Sequence, residues 1–259
     1  MRTPTCLRPL SYWGLTFRRT WRSDLSNSLL NPMLYLASIG VGLGVYVQRG
    51  HHLGALHGVS YLSFVAPALL ATTAMQLAVT QATFPVLGAV KWARVYLGML
   101  ASPLSVNDVL VGHLIYIALR VAGASGLYLA VSAAFGTLHS PSAALELLIG
   151  PLVGLAFATP LAAFSIGRRT ETSFVVLFRL FMVPLFLFSG TFFPITQLPS
   201  ALRVLAEILP LWHGVELCRS LALGSGDLLI ELANGCYLVL LSLGGYAVAR
   251  RAYRRRLVR

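Results

Sequence analysis

Charge is what this chain has least of. Of its 259 residues only 11% are Asp, Glu, Lys or Arg, while 57% are apolar. A soluble domain of this length carries roughly twice that charged fraction, so the apolar excess is too large for a protein core alone and must face lipid. Acids are scarcer still: 8 Asp and Glu stand against 20 Lys and Arg, for a net charge of +12. Such a balance can mark a nucleic-acid binder, which presents a basic stripe in polar surroundings. Here the arginines sit in short clusters between long apolar runs, the topology signal of a membrane protein, and nucleic acid is excluded as a partner. Lysine is nearly absent. Lys91, the single one, follows Val90 and precedes Trp92, whereas a phosphate-binding P-loop needs Gly-Lys-Ser/Thr; the chain carries no nucleotide-hydrolysing loop. The 3 cysteines, Cys6, Cys218 and Cys236, are odd in number and lack metal-ligand spacing, so they read as inert thiols. No apolar signal-peptide core opens the sequence and Cys6 follows Thr-Pro-Thr, so the first span is expected to direct insertion.

A hydrocarbon core about 30 Å thick takes ~20 apolar residues of helix. Runs of that kind predict six transmembrane helices near 31–47, 61–83, 107–135, 143–166, 174–189 and 228–249. They are too long, and lack the period-2 alternation, for barrel strands. Asn31-Pro32 offers a cap and a first-turn proline for the first span, and Pro184 predicts a kink in the short fifth one. Counting cations sets the orientation. Fifteen fall in the segments assigned inside: Arg2, Arg8, Arg18, Arg19, Arg22, Lys91, Arg94, Arg168, Arg169 and the six arginines between Arg250 and Arg259. Three, Arg49, Arg203 and Arg219, fall outside. The excess places both termini in the cytoplasm. The whole chain, 1–259, reads as one all-α integral membrane domain.

Three stretches do not span. Over 9–25, Leu10, Trp13, Phe17, Trp21 and Leu25 share one arc at helical spacing while Arg18, Arg19 and Arg22 take another, with Leu15 falling among the arginines. That pattern predicts an amphipathic helix lying in the inner interface. Residues 84–106 form the longest inner loop. The piece from Ala89 to Leu100 reads as a short helix, rich in Trp, Tyr and Met, suited to docking another protein. Outside, 190–227 holds Ser-Gly-Thr-Phe-Phe-Pro-Ile-Thr-Gln-Leu-Pro-Ser, a helix from Ser200 to Leu209 and a second apolar stretch to Leu223. These pieces are too short to cross and are expected to be re-entrant, since irregular backbone at that depth must be buried in protein or line a cavity.

The stretch from Phe186 to Pro199 (Phe-Leu-Phe-Ser-Gly-Thr-Phe-Phe-Pro-Ile-Thr-Gln-Leu-Pro) and the run Leu209-Pro-Leu-Trp-His-Gly-Val-Glu-Leu-Cys-Arg219 resemble the C-terminal signature of ABC-2 type exporter membrane subunits. Asn31-Pro-Met-Leu-Tyr-Leu36 and the loop from Lys91 to Pro103 resemble the branch containing daunorubicin-resistance and nodulation-factor exporters. The resemblance covers nearly the whole chain. It implies a six-helix permease in the cytoplasmic membrane that pairs with a second copy or a homologous permease. A separate ATP-binding cassette subunit would dock on each half and hold ATP and Mg, with no cofactor bound by this chain. It also implies that the loop between the second and third spans is the coupling helix, which assigns Lys91, Trp92, Arg94 and Tyr96 to contact with the ATPase subunit. Cargo stays open among drugs, lipids and glycans.

Other residues invite chemistry. Arg120, near the middle of the third span, is costly there and serves either as a structural bond to neighbouring carbonyls or in cargo handling and gating. Arg179 lies about two turns from the inner end of its span and can snorkel. Pro184, Gly190, Pro194 and Pro199 free the backbone to bend, while Phe186, Phe188, Phe192 and Phe193 offer a chemically tolerant surface. Phe186, Gly190, Phe192, Phe193 and Pro194, with Arg120 and Arg179, are therefore the candidate translocation path or gate, the competing reading being a rigid plug. Gly40 and Gly44 make a Gly-x-x-x-Gly packing face. His51, His52 and His57 lack further metal ligands nearby. Gly123-Ala-Ser125-Gly126 resembles the serine motif of rhomboid proteases, yet the sixth span supplies no activating histidine. An ion-coupled secondary transporter and an intramembrane enzyme are the rival classes, disfavoured by the lack of a mid-span carboxylate, an internal repeat or a convergent acid–base set.

The orientation is testable in a cysteine-free background carrying His51→Cys, Gly226→Cys, Arg168→Cys or Arg255→Cys singly. A membrane-impermeant thiol reagent applied to intact cells should label positions 51 and 226 only. Labelling of position 168 overturns the assignment.

Overall fold

The computed structural model describes residues 8–38, 42, 59–224 and 226–258, and for 23–29 and 31 the backbone alone. Gly40, Gly44, Arg49, the three loop histidines and the second half of the expected first span lie outside the described residues. Among those described, all regular structure is helical. Four stretches are long and apolar enough to cross a membrane: Tyr61–Lys91, Val106–Ala134, Pro141–Ile166 and Leu228–Leu257; a shorter apolar helix occupies Thr172–Phe188.

In chain order the α-helices are α1 (Arg8–Ala37), α2 (Tyr61–Ala82), α3 (Phe84–Lys91), α4 (Val95–Leu100), α5 (Val106–Ala134), α6 (Glu146–Ile166), α7 (Thr172–Leu177), α8 (Val183–Phe188), α9 (Ser200–Ile208), α10 (Pro210–Leu223) and α11 (Leu228–Leu257). Local chemistry sets their ends. The Ser60 hydroxyl accepts from the Ser63 N–H to start α2. Ser105 and Asp108 form a reciprocal capping box at the start of α5, satisfying two donors that the first turn otherwise leaves unpaired. Asp227 caps α11 through the Leu229 N–H, and Arg254, Arg255 and Arg256 in its last turn complement the helix dipole. Gly224, at φ 66°, ends α10 in the left-handed region that glycine adopts at little cost.

The core centres on α2 and α6. Leu69, Leu70, Met75 and Val79 of α2 are buried, and α6 packs on α2, α5, α10 and α11. Because lipid is as apolar as leucine, helices in a membrane associate through close packing of small residues, and α6 does so on several faces. A methyl group on Gly154 would stand 3.2 Å from Val121 and 3.3 Å from Ala78. On α11, a methyl on Gly245 would fall 2.7 Å from the Pro160 ring. Much of α11 (Leu228, Leu229, Leu240, Leu243) and of the 172–188 helix (Val176, Leu180, Phe181) stays exposed, the surface that a bilayer covers.

Several expectations are corrected. Asn31-Pro32 does not begin a helix; α1 runs unbroken through Pro32, and the 9–25 stretch belongs to it. Leu15 is 60% exposed among the arginines, and of the aromatic arc Trp13 is buried against α5 while Phe17 and Trp21 stay 41% and 43% exposed. Trp13 stacks on His113 and Tyr116, and Arg120 lies 5.8 Å from the Phe17 ring. The Ala89–Leu100 helix is two pieces, α3 and α4. The Gly88 carbonyl accepts from both the Trp92 and Ala93 N–H groups, closing α3, and Arg94 at φ 49° turns the chain. Pro184 does perturb its span. The turn before it, Phe178–Met182, widens to π geometry, which relieves the clash of the proline ring with the carbonyl four residues earlier.

Gly245→Ala should lower the detergent-solubilised protein's stability by about 1–3 kcal/mol through overpacking against Pro160. Gly244→Ala, where no atom lies within 4 Å, should be near neutral. Equal thermal midpoints for the two variants contradict the α6–α11 contact.

Candidate functional site

Two sites separate to opposite ends of α11. Asp227 and Glu231 line a cavity at its start, and Arg256 lines a basic pocket at its end; 30 residues of helix put them about 45 Å apart. The cavity encloses about 760 Å³, bordered by Phe64, Pro194, Trp212, Arg219, Glu231 and Asn234 among others. The cavity's lining comes from segments that the charge count assigned outside and from the adjoining ends of two spans (Phe64, Ile230, Glu231 and Asn234), and the basic pocket's lining from segments assigned inside.

The cavity end is organised by Arg219. Pro210 starts α10, and the helix carries Arg219 into the bundle, where only 8% of it is exposed. Its Nη2 donates to the Gly190 carbonyl at 2.7 Å, its Nε to the Phe64 carbonyl at 3.3 Å and its Nη1 to the Glu216 carboxylate at 3.2 Å. The guanidinium also lies 3.8 Å from the Phe64 ring centre. One cation thus joins α2, α10 and the irregular segment that follows α8. Further bonds hold that segment. The Tyr61 hydroxyl donates to the Phe192 carbonyl at 3.0 Å, and the Thr191 hydroxyl meets those of Thr72 at 3.4 Å and Ser189 at 2.8 Å. Irregular backbone at a helix end inside a membrane needs such internal partners, because lipid supplies none. On the far wall, His213 bonds Asn234 at 2.7 Å and stacks on Tyr237, tying α10 to α11.

Of the candidate path residues, the structure gathers five here. Phe186 and Phe192 meet edge to face at 5.0 Å. Gly190, at φ 77°, presents its carbonyl to Arg219; a methyl there would come within 3.0 Å of Ile195. Phe193 is half-buried in the same segment, and Pro194 lines the cavity. The other two stand apart. Arg179 is exposed on the π turn. Arg120 lies in a groove between α1 and α5, donating to the Tyr116 hydroxyl at 3.4 Å.

At the opposite end Trp92 is 55% exposed, with the Lys91 ammonium 5.7 Å from its ring and bonded to the Arg169 carbonyl at 3.1 Å. Arg94 is exposed beside them. Tyr96 is not available for docking: it is fully buried, bonds His113 Nδ1 at 2.9 Å and packs 5.9 Å from Tyr253. Burial pushes its hydroxyl well above the ordinary range, so it stays protonated as an internal pin. Among the described residues, no group of three His, Cys, Asp or Glu is placed to hold a metal ion.

Residues 12–223 match the family described as ABC-2 type transporter. The chain belongs to that family. It is accordingly a multi-pass membrane permease, a transport subunit and not itself an enzyme. Its relatives include Nodulation protein J of Rhizobium leguminosarum bv. viciae, 29% identical over 95% of this chain and 92% of the relative. Nodulation protein J of Rhizobium leguminosarum bv. trifolii is 32% identical over 82% and 81%. That of Rhizobium meliloti (strain 1021) is 28% identical over 92% and 89%. Within the permease, Arg219 is the residue that sequence reasoning missed, having counted it only as an outer cation. The available signal was Glu216 three residues before it, an ion pair at helical spacing inside an apolar stretch.

Arg219→Gln should cost the permease about 2 kcal/mol, because the buried Gly190 carbonyl loses a charged donor. Glu216→Gln, at the half-exposed end of the pair, should cost under about 1 kcal/mol. Thermal midpoints in one detergent check the order, and the reverse order contradicts the clasp.

Proposed function

We propose that this permease is one half of an ATP-binding cassette exporter that moves an amphipathic drug, lipid or glycan out of the cytoplasm. In this reading ATP and Mg reside on a separate ATPase subunit, and a second copy or a homologous permease completes the pathway. The family match over residues 12–223 carries the proposal, and the segregation of the two sites supports it. Counting α1 and the 172–188 helix with the four long ones gives six crossings of the inner membrane. Both termini are then cytoplasmic: Trp13 of α1 and Tyr253 of α11 converge on His113 and Tyr96 at the arginine end. In this arrangement α9 and α10 dip into the outer leaflet without crossing.

Mechanistically, ATP binding would push on the cytoplasmic turn at Trp92. The α3–α4 corner is tied through Tyr96 to α5, so the push would reach the bundle as a rigid displacement. At the far end the segment 189–194 would be the moving part. Its bonds are few and named, and loss of the Arg219–Gly190 bond would let the Phe186–Phe192 pair part beside the cavity. Aromatic rings present an apolar face without demanding one headgroup charge, in keeping with an amphipathic cargo.

Trp92→Ala with Leu97→Ala, both exposed, should lower ATPase co-purification and ATP-driven efflux on the order of tenfold or more, with membrane insertion intact. Phe192→Ala with Phe193→Ala should leave ATPase binding unchanged and alter which cargo is exported. Normal coupling in the first variant removes the docking role. Unchanged transport across several cargoes in the second favours a rigid plug.

A further inference from the structure

The basic pocket at the end of α11 holds four cations and no acid. Val90, Lys91, Arg168, Arg169 and Arg256 enclose about 330 Å³. Among the described residues no carboxylate forms an ion pair with any of the four, and Glu171, exposed two residues past Arg169, does not line the space. All four are exposed; like charges brought together from three separate segments repel, and an anion seated between them relieves that repulsion. Two of the four side chains are also held in place. Lys91 is fixed by the Arg169 carbonyl at 3.1 Å, and the Arg168 guanidinium sits 4.0 Å from the Phe164 ring centre, a cation–π contact that keeps it oriented without neutralising it.

Depth and the adjoining surface identify the anion. The stretch Pro141–Ile166, 26 residues, is about 40 Å long and so reaches past a hydrocarbon core of about 30 Å. Arg168 and Arg169, directly after it, therefore stand in the headgroup layer. Next to them Phe84, 37% exposed, and the half-buried Phe178 form an aromatic wall, their rings 6.3 Å apart, backed by the buried Phe174, which meets Phe84 at 5.1 Å and Phe164 at 6.3 Å. A cationic mouth beside an apolar wall at the membrane surface matches an acidic lipid, with phosphate at the mouth and acyl chains along the rings. An acidic protein segment would use the charges but not the wall. The volume, roughly that of ten liquid waters, accommodates a phosphodiester headgroup.

We propose that this pocket is a binding site for an anionic phospholipid of the cardiolipin class, joining the 91 turn, the 168–169 turn and the end of α11. Basic pockets between transmembrane helices on the cytoplasmic side take such headgroups. The site does not depend on the exporter reading, only on the chain spanning a membrane.

The test uses the full-length purified permease in mild detergent, titrated with cardiolipin, phosphatidylcholine or inorganic phosphate. Lipid adducts retained in native mass spectrometry and the thermal midpoint are the readouts. Cardiolipin should bind and raise the midpoint, while phosphatidylcholine and phosphate should not. Arg168→Gln, Arg169→Gln and Arg256→Gln combined should weaken cardiolipin binding on the order of a hundredfold. The corresponding triple Lys variant should retain most of it, which separates charge from misfolding. Three charges removed elsewhere on the same side, Arg18→Gln, Arg250→Gln and Arg251→Gln, should leave binding nearly unchanged. Equal losses in both Gln triples would show diffuse charge attraction and overturn the proposal. So would equal stabilisation by phosphatidylcholine, competition by phosphate at lipid concentrations, or displacement of the lipid by a co-purifying acidic protein.

Discussion

A guanidinium taken out of water at the end of an apolar helix bundle must find every one of its bonds inside the protein. Arg219 does so by reaching the Gly190 carbonyl, the Phe64 carbonyl and the Glu216 carboxylate together. Much at the cavity end follows from that requirement. The segment after α8 can leave helical geometry because its carbonyls are received. Gly190 adopts positive φ, which points its oxygen at the guanidinium, and α10 stops short at Gly224 after delivering the arginine. A buried charge with several partners is a poor source of net stability but a strong determinant of one arrangement, since each partner lost leaves a desolvated group behind. A conformational switch between two packings has the same requirement.

The opposite end uses a different logic. Trp13, His113, Tyr96 and Tyr253 come from α1, α5, α4 and α11 and pack as rings, with a single tyrosine–histidine bond among them. Large rigid surfaces of this kind resist sliding. A permease that receives a push at one end and yields at the other needs a stiff junction and a releasable one, and the two ends differ in that respect. Between them α6 packs through glycines at van der Waals distance, a geometry that transmits displacement rather than absorbing it.

The sequence made the helical class and four of the long spans legible, because hydropathy follows directly from the bilayer. The family was legible in the motifs around Phe186–Pro199 and Leu209–Arg219. Tertiary context decided the rest. Tyr96 looked like a docking aromatic beside Trp92, yet a single positive-φ turn at Arg94 sends one ring outward and the other into the core; nothing in the local pattern distinguishes them. For the arc of Leu10, Trp13, Phe17 and Trp21 a periodicity cannot say which rings another helix covers: Trp13 is buried against α5, and Phe17 and Trp21 stay exposed. Arg120 stands 5.8 Å from the rings of both Phe17 and Tyr116, a setting that its place in the third span does not reveal. Arg219 was hidden because a count of charges treats an outer cation as solvated.

The claim that the segment 189–194 moves while the arginine end stays rigid can be read directly as a distance. Spin labels at Val59→Cys and Thr196→Cys flank the cavity, in permease reconstituted with its co-purifying ATPase. A single short distance is expected at rest, with a second, longer population appearing on addition of Mg-ATP and cargo. A distribution that stays the same under turnover would contradict a gate at this end.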